Sequence, residues 1–201
     1  MQPENEKAAK PVLFTLGHGA LEAERFVAIL NRVGIGLLVD VRSAPGSRRS
    51  PHFGRAELER WLPAAGVAYR WEPELGGFRK PKPDSLNGAL RHPSFRGYAD
   101  WMASERFLGA LDRLIAEAAL EPTAVMCAEA LWWRCHRRLI SDAAVLLAKV
   151  QVRHIGHDGR LSDHRITSGA LLAEGPARQI LIYPPEPSPL QHLAFEYTLS
   201  G

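Results

Sequence analysis

The chain has 201 residues, 46% of them hydrophobic, with a formal net charge of +3 and a pI of about 9.1; it is long enough for a sizeable core and short enough that one domain is the expectation. No apolar run reaches the roughly 20 residues that cross a bilayer, and residues 1–10 lack the apolar stretch of a signal peptide, so a cytoplasmic protein with no membrane partner is expected. Two cysteines build no disulfide framework, and the basic balance is carried by twenty Arg against five Lys, a choice suited to gripping phosphates or carboxylates but also to a coding bias.

In chain order, residues 12–19 (VLFTLGHG) form a short apolar run, and residues 21–34 carry Leu21, Phe26, Ile29, Leu30 and Val33 on a helical stripe with Gly34 as a stop. Residues 35–42 (IGLLVDVR) are nearly continuous apolar, as expected of a strand covered on both faces. A helix over 54–66 places Leu58, Trp61, Leu62 and Ala65 on one face, with Pro63 ending it early, and a strand follows at 67–73. Residues 78–93 hold three prolines and a basic cluster and read as an exposed loop. Helices are expected at 94–104 and 105–120, a buried strand at 123–129, a helix at 134–150 and a last strand at 151–156. Residues 161–175 suggest a short helix, and 183–197 an extended segment. The alternation predicts an α/β three-layer sandwich, Rossmann-like, with a mainly parallel sheet of about five strands. The expected organisation is a leader at 1–10, a domain at 11–182 and a Pro-rich tail at 183–201 packed on it.

In such a sheet, ligands lie outside the carboxyl ends of the strands. Each proposed strand ends in polar groups: His18 after the first, Asp40 and Arg42 after the second, Glu74 after the third, Cys127 and Glu129 after the fourth, His154 in the fifth. A shared site is therefore expected. The loop 40–53 adds Arg42, Arg48 and Arg49 with Ser43, Ser47 and Ser50, able to hold phosphate oxygens or simply to face water.

The densest stretch is VMCAEALWWRCHRRLI, residues 125–140. Seven residues separate Cys127 from Cys135, too many for a zinc clip, and no metal or other cofactor is expected. A cysteine-phosphatase loop needs Cys, five residues and Arg, but position 133 is Trp and the arginine is Arg134. Cys127 is either a small buried thiol or a nucleophile; Cys135, beside His136 and Arg137 at a helix start, is placed for a lowered pKa. Trp132 and Trp133 are either one core plug with one exposed ring or a platform on which a base stacks.

The segments LGHG, LLVDVRSAPGSRRSPHF, ELGG, MCAEALWWRCHRRLI and HIGHDGRLSDHRIT, spanning about residues 12–168, resemble the DUF488 family in order and spacing. Where its members have polar or acidic residues between Cys-Ala-Glu and Cys-His-Arg, this chain has residues 130–134 (ALWWR), a more aromatic rim. The resemblance implies a role in DNA repair, with removal of modified pyrimidines such as 5-hydroxymethyluracil among the activities associated with relatives.

An N-glycosylase holds DNA phosphates, takes one nucleotide out of the stack and stabilises a sugar of oxocarbenium character with a carboxylate. Under that expectation the catalytic candidates are Asp40, Glu129, His18, Cys127 and His136. The binding candidates are Arg42, Ser47, Arg48, Trp132, Trp133, Cys135, Arg137, His154 and His164, and the partner is DNA with a modified base; no obligate protein partner is evident. Asp40 also has a structural role open to it, pairing with Arg42 or Arg137, and Glu129 one as a helix cap. Lys7, Lys10, Lys80, Lys82 and Lys149 all lie in tail, loop or helix end, so water rather than an amine is the expected nucleophile. Two other readings remain: a rhodanese- or phosphatase-like thiol enzyme using Cys127, and a nucleic-acid-binding module without catalysis.

Overall fold

The computed structural model describes residues 11–46 and 49–185. The leader at 1–10, the tail from 186 onward, and two binding candidates, Ser47 and Arg48, lie outside the described residues.

The chain runs β1 (Val12–Gly17), α1 (Ala23–Val33), β2 (Leu37–Asp40), α2 (Arg55–Ala64), β3 (Ala68–Trp71), α3 (Pro93–Met102), α4 (Glu105–Leu120), β4 (Thr123–Cys127), α5 (Arg137–Leu146), β5 (Gln151–Ile155), β6 (Leu161–Asp163), β7 (Leu171–Glu174) and β8 (Gln179–Ile182). Six strands form one sheet in the order β3-β2-β4-β1-β5-β6. The first five in that order are mutually parallel and β6 is antiparallel to β5. The α/β sandwich with a mainly parallel sheet is thus the observed fold. Among the described residues no helix is long and apolar enough to cross a membrane.

Side chains alternate between the two faces of a strand, and here the alternation divides the core. Leu16, Leu38, Ala124 and Met126 pack with Phe26, Ile29 and Leu30 of α1 and Leu58 and Leu62 of α2. Leu13, Leu37, Val39, Val125, Cys127 and Val152 face the other way, against Tyr98 of α3, Phe107, Leu111 and Leu114 of α4, and Leu139 and Ile140 of α5. Cys127 and Asp40 therefore belong to opposite faces of the sheet.

Local rules account for the element ends. Gly34 takes a left-handed conformation with φ 78°, and its N–H reaches the Leu30 and Asn31 carbonyls to close α1. Ser104 caps α4 by accepting the Phe107 N–H at 3.3 Å. Pro63 sits in the last turn of α2, which ends one residue later. The expected helix start at residue 134 is replaced by a 3₁₀ turn over Trp132–Arg134, and α5 begins at Arg137 with His136 as its cap.

Residues 161–175 hold no helix among the elements described; they contain β6 and β7, the latter in a hairpin with β8. The cause is turn chemistry. Asp158-Gly159, with Gly159 at φ 75° and the Asp158 carboxylate accepting the Arg160 N–H at 2.9 Å, reverses the chain and pairs β6 with β5. The far end of the hairpin also holds the long 78–92 loop in place: Tyr183 N–H donates to the Asn87 side chain at 2.9 Å, and Ala89 N–H donates to the Tyr183 carbonyl at 3.0 Å.

Nothing lies within 4 Å of a Cβ built on Gly34, so backbone conformation alone decides the effect of a substitution there. Gly34→Ala should lower the unfolding free energy by about 1 kcal/mol, measured by urea denaturation, with Gly34→Asn costing less because Asn tolerates the left-handed region.

Candidate active site

A pocket of about 820 Å³ opens at the carboxyl ends of β2 and β4. Its floor carries Cys127, Cys135 and His136; Arg42 and Ser43 come from the loop after β2, Gly77 and Phe78 from the loop after β3, Phe95 and Tyr98 from α3, and Glu129, Trp133 and Arg134 from the segment after β4. The volume falls within the range of roughly 300–1,000 Å³ usual for ligand sites, and the aromatic walls suit a flat, partly apolar occupant.

The two sulfurs lie 2.8 Å apart. Cys127 Sγ accepts Arg137 Nε at 3.1 Å and the Glu129 N–H at 3.3 Å. Cys135 Sγ lies 3.4 Å from His136 Nδ1 and 3.5 Å from the Arg137 N–H that opens α5. The other nitrogen of His136, Nε2, is 2.9 Å from the Val41 carbonyl and donates to it. Burial pushes both thiols up; at Cys135 a hydrogen bond from Cys127, the adjacent His136 and Arg137 outweigh burial and the pKa falls well below the usual thiol value. At Cys127 burial and the hydrogen bond it gives to Cys135 leave the pKa raised. At 2.8 Å the two thiols titrate as a pair and not as independent groups.

Asp40 is fully buried and does not line the pocket. Its oxygens accept Arg42 Nε at 2.8 Å and 3.1 Å, the Arg42 backbone N–H at 3.0 Å and the Tyr69 hydroxyl at 2.9 Å. The structural alternative, pairing with Arg42, is the one realised, and the carboxylate has no face turned to the pocket. His18 likewise lies on the α1–α2 side, stacked on Phe53 at 4.2 Å between ring centres. Its Nδ1 is 3.0 Å from the Gly19 carbonyl. Strand parity explains both: Leu16, Leu38 and Asp40 share one face, and His18 follows Leu16 in the same sense. Arg42 is among the pocket-lining residues, but its guanidinium is held on the α1–α2 side by Asp40, by the Phe53 carbonyl at 2.8 Å and by a 3.4 Å contact of Nη1 to His18.

Arg137, His154 and His164 also stay out of the pocket. Arg137 is only 1% exposed and gives its hydrogen bonds to Cys127 Sγ, Thr15 Oγ1 and the carbonyls of Glu129 and Ala130. From Thr15 a buried chain continues to His154 Nδ1 at 2.7 Å, from His154 Nε2 to His164 Nδ1 at 3.0 Å, and from His164 Nε2 to Asp142 at 2.8 Å. Tyr183 closes it from the other side, its hydroxyl donating to Asp142 at 2.8 Å. Trp132 stacks on His154 at 4.0 Å and 7°, whereas Trp133 is 50% exposed. One tryptophan is the plug and the other the exposed ring.

Of the candidates read from sequence, the pocket thus gathers Arg42, Cys127, Glu129, Trp133, Cys135 and His136. Sequence reasoning missed Phe78, Phe95 and Tyr98, which line the pocket from a loop and a helix carrying no polar strand-end signal. The sequence showed a helix at 94–104 but not that its side chains would form that wall. Among the described residues no group of three or more His, Cys, Asp or Glu side chains stands ready for a metal ion.

The profile of the family described as Domain of unknown function DUF488 matches residues 22–144, a span that includes every pocket-lining residue named above. No curated protein and no solved structure matches the chain.

Two outcomes follow from the buried polar groups. Asp40→Asn leaves Arg42 without its counter-charge and should cost about 3 kcal/mol of stability by urea denaturation. Burial, with Arg42 next in effect, lowers the pKa of His18 to about 4; burial, then His164 and Arg137, lowers that of His154 to about 3. Both are neutral in the folded state, whereas the unfolded chain takes up their protons near the ordinary value of about 6.5. Their stabilising contribution is present above that value and is lost as pH falls from it toward 4. Thermal melts should show this acid limb, and His154→Asn should flatten it while lowering stability at neutral pH.

Proposed function

We propose that this chain, which belongs to the DUF488 family, is a DNA-processing enzyme that releases a modified pyrimidine, such as 5-hydroxymethyluracil, from an extruded nucleotide. The single observation that carries the reading is the pocket itself, an open chamber of about 820 Å³ with aromatic walls, an exposed cation at Arg134, and one solvent-facing carboxylate, Glu129. A flat base slides between Phe95, Tyr98 and Trp133, and the exposed Arg134 offers its guanidinium to a base carbonyl or a phosphate.

With Asp40 bound to Arg42 and Tyr69, Glu129 is the carboxylate left for the sugar. One of its oxygens accepts the Leu131 N–H at 3.2 Å, which orients the group. In the reaction the bond from the sugar to the base breaks, its electron pair leaves with the base, and the carboxylate stabilises the cationic sugar and takes a proton from the attacking water. No pocket-lining residue is a lysine, in keeping with water as nucleophile.

A second reading has a specific observation in its favour, the lowered pKa and placement of Cys135 against His136 and the start of α5. It moves the nucleophile of a thiol enzyme from Cys127 to Cys135. Against it stand the breadth of the pocket and, among the described residues, the absence of a tight cradle for a small anion, since the hydrogen bonds of Arg137 are given to protein atoms.

Duplexes and single strands carrying assorted modified pyrimidines, incubated with the protein and assayed for free base by mass spectrometry, test both readings. The base-release reading expects product with no borohydride-trappable adduct, a loss of about 10²-fold or more in Glu129→Gln, and only a small change in Cys135→Ser. Loss confined to Cys135→Ser selects the thiol enzyme. Tight binding with no released base from any substrate selects the non-catalytic module.

A further inference from the structure

Phe78 combines three features found together at no other position among the described residues. Its side chain is 92% exposed, its backbone lies in the left-handed region at φ 58° although it is not glycine, and it stands on the wall of the large pocket. Leu120 is almost as exposed, but it ends α4 away from the pocket and carries no backbone penalty; an isolated exposed apolar residue of that kind needs no explanation. A bulky residue held in the left-handed region costs free energy, and such conformations persist where neighbouring contacts over-determine them.

Those contacts are present on both sides of Phe78. The Ser43 hydroxyl donates to the Gly77 carbonyl at 2.7 Å. A Cβ on Gly77 would lie 3.1 Å from the His136 ring, so the backbone just before Phe78 is pressed against the pocket floor. On the other side the Arg79 guanidinium lies 4.5 Å over the Trp101 ring and donates to the Pro73 carbonyl at 3.4 Å. The chain is fixed before and after Phe78, and the ring is presented outward at the mouth. Lys80, Lys82 and Arg91 of the same loop are exposed and supply positive charge for the phosphates of a duplex on that side.

We propose that Phe78 is a wedge that enters the base stack of duplex DNA and occupies the gap left by the nucleotide drawn into the pocket. The inference rests on the base-release reading and adds the means by which a paired base reaches the pocket. Apolar side chains inserted between base steps unstack them in this way, and a ring on an anchored backbone loses little freedom on insertion.

The test uses the full chain with duplexes that carry 2-aminopurine beside 5-hydroxymethyluracil, and with the same sequences as single strands. Wild-type protein should raise the 2-aminopurine fluorescence of the duplex, and Phe78→Leu should retain most of that rise. Phe78→Gly, which removes the ring and relieves the backbone, should melt no lower than wild type yet lose the rise and slow base release from duplex by about tenfold or more. Its release from single strands should stay within about twofold of wild type, because no stack has to be opened there. A wild-type rise that persists in Phe78→Gly, or no rise with wild type, overturns the wedge even where base is released. Absence of base release from duplex and single strand alike defeats the base-release reading instead; the fluorescence comparison still decides the wedge, since it reports unstacking rather than bond cleavage.

Discussion

The buried guanidinium of Arg137 is the interaction on which the rest of the site depends. It is held inside by Cys127 from β4, Thr15 from β1 and two carbonyls of the segment after β4, and among the described residues it forms no ion pair with a carboxylate. A cation taken out of water without a counter-ion is costly, and any nearby acid that ionises reduces that cost. The thiol pair is placed to do so: Cys127 accepts Arg137 Nε and hydrogen-bonds Cys135, whose pKa is drawn down. The charge of the pocket floor is thereby tied to the packing of the sheet. Gly17 is part of the same constraint, because a Cβ there would strike the Glu129 carbonyl and the guanidinium itself.

Strand parity sorted the polar residues at the strand ends. The notion that these residues share one cavity treats a strand end as a point, whereas successive residues point to opposite faces. Asp40 and His18 went with the α1–α2 layer and there anchor Arg42, Tyr69 and Phe53. Cys127 went with the α3–α5 layer, and helices from that layer closed the pocket over it. Parity is legible in LLVDVR itself, since Leu38 and Asp40 differ by two, but which layer would carry the pocket depends on where α3 docks, and nothing in residues 93–102 announces that.

What the sequence showed best were elements with strong local rules: the glycine stop of α1, the capped α4 and the continuous apolar strands. It was poorest after residue 156. There the segment 161–175 mixes apolar residues with Gly and Ser in a pattern compatible with a helix, and the Asp158-Gly159 reversal that makes it β-structure lies just outside that window. The histidines followed the same logic. His154 and His164 looked like ligand-binding groups by residue type, yet with Thr15 and Asp142 they form a buried hydrogen-bonded chain. Only the pairing of β5 with β1 and β6, a long-range property, brings those partners together.

The clamp between Tyr183 and the Asn87–Ala89 segment has a bearing on how the protein matures. Its two hydrogen bonds join positions nearly a hundred residues apart, and contacts of such separation form late because the intervening chain must first be ordered. During translation the sheet from β1 to β5 is complete in sequence while the 78–92 loop still lacks its fastening. The loop that carries Phe78 is therefore fastened only once the β7–β8 hairpin has been made.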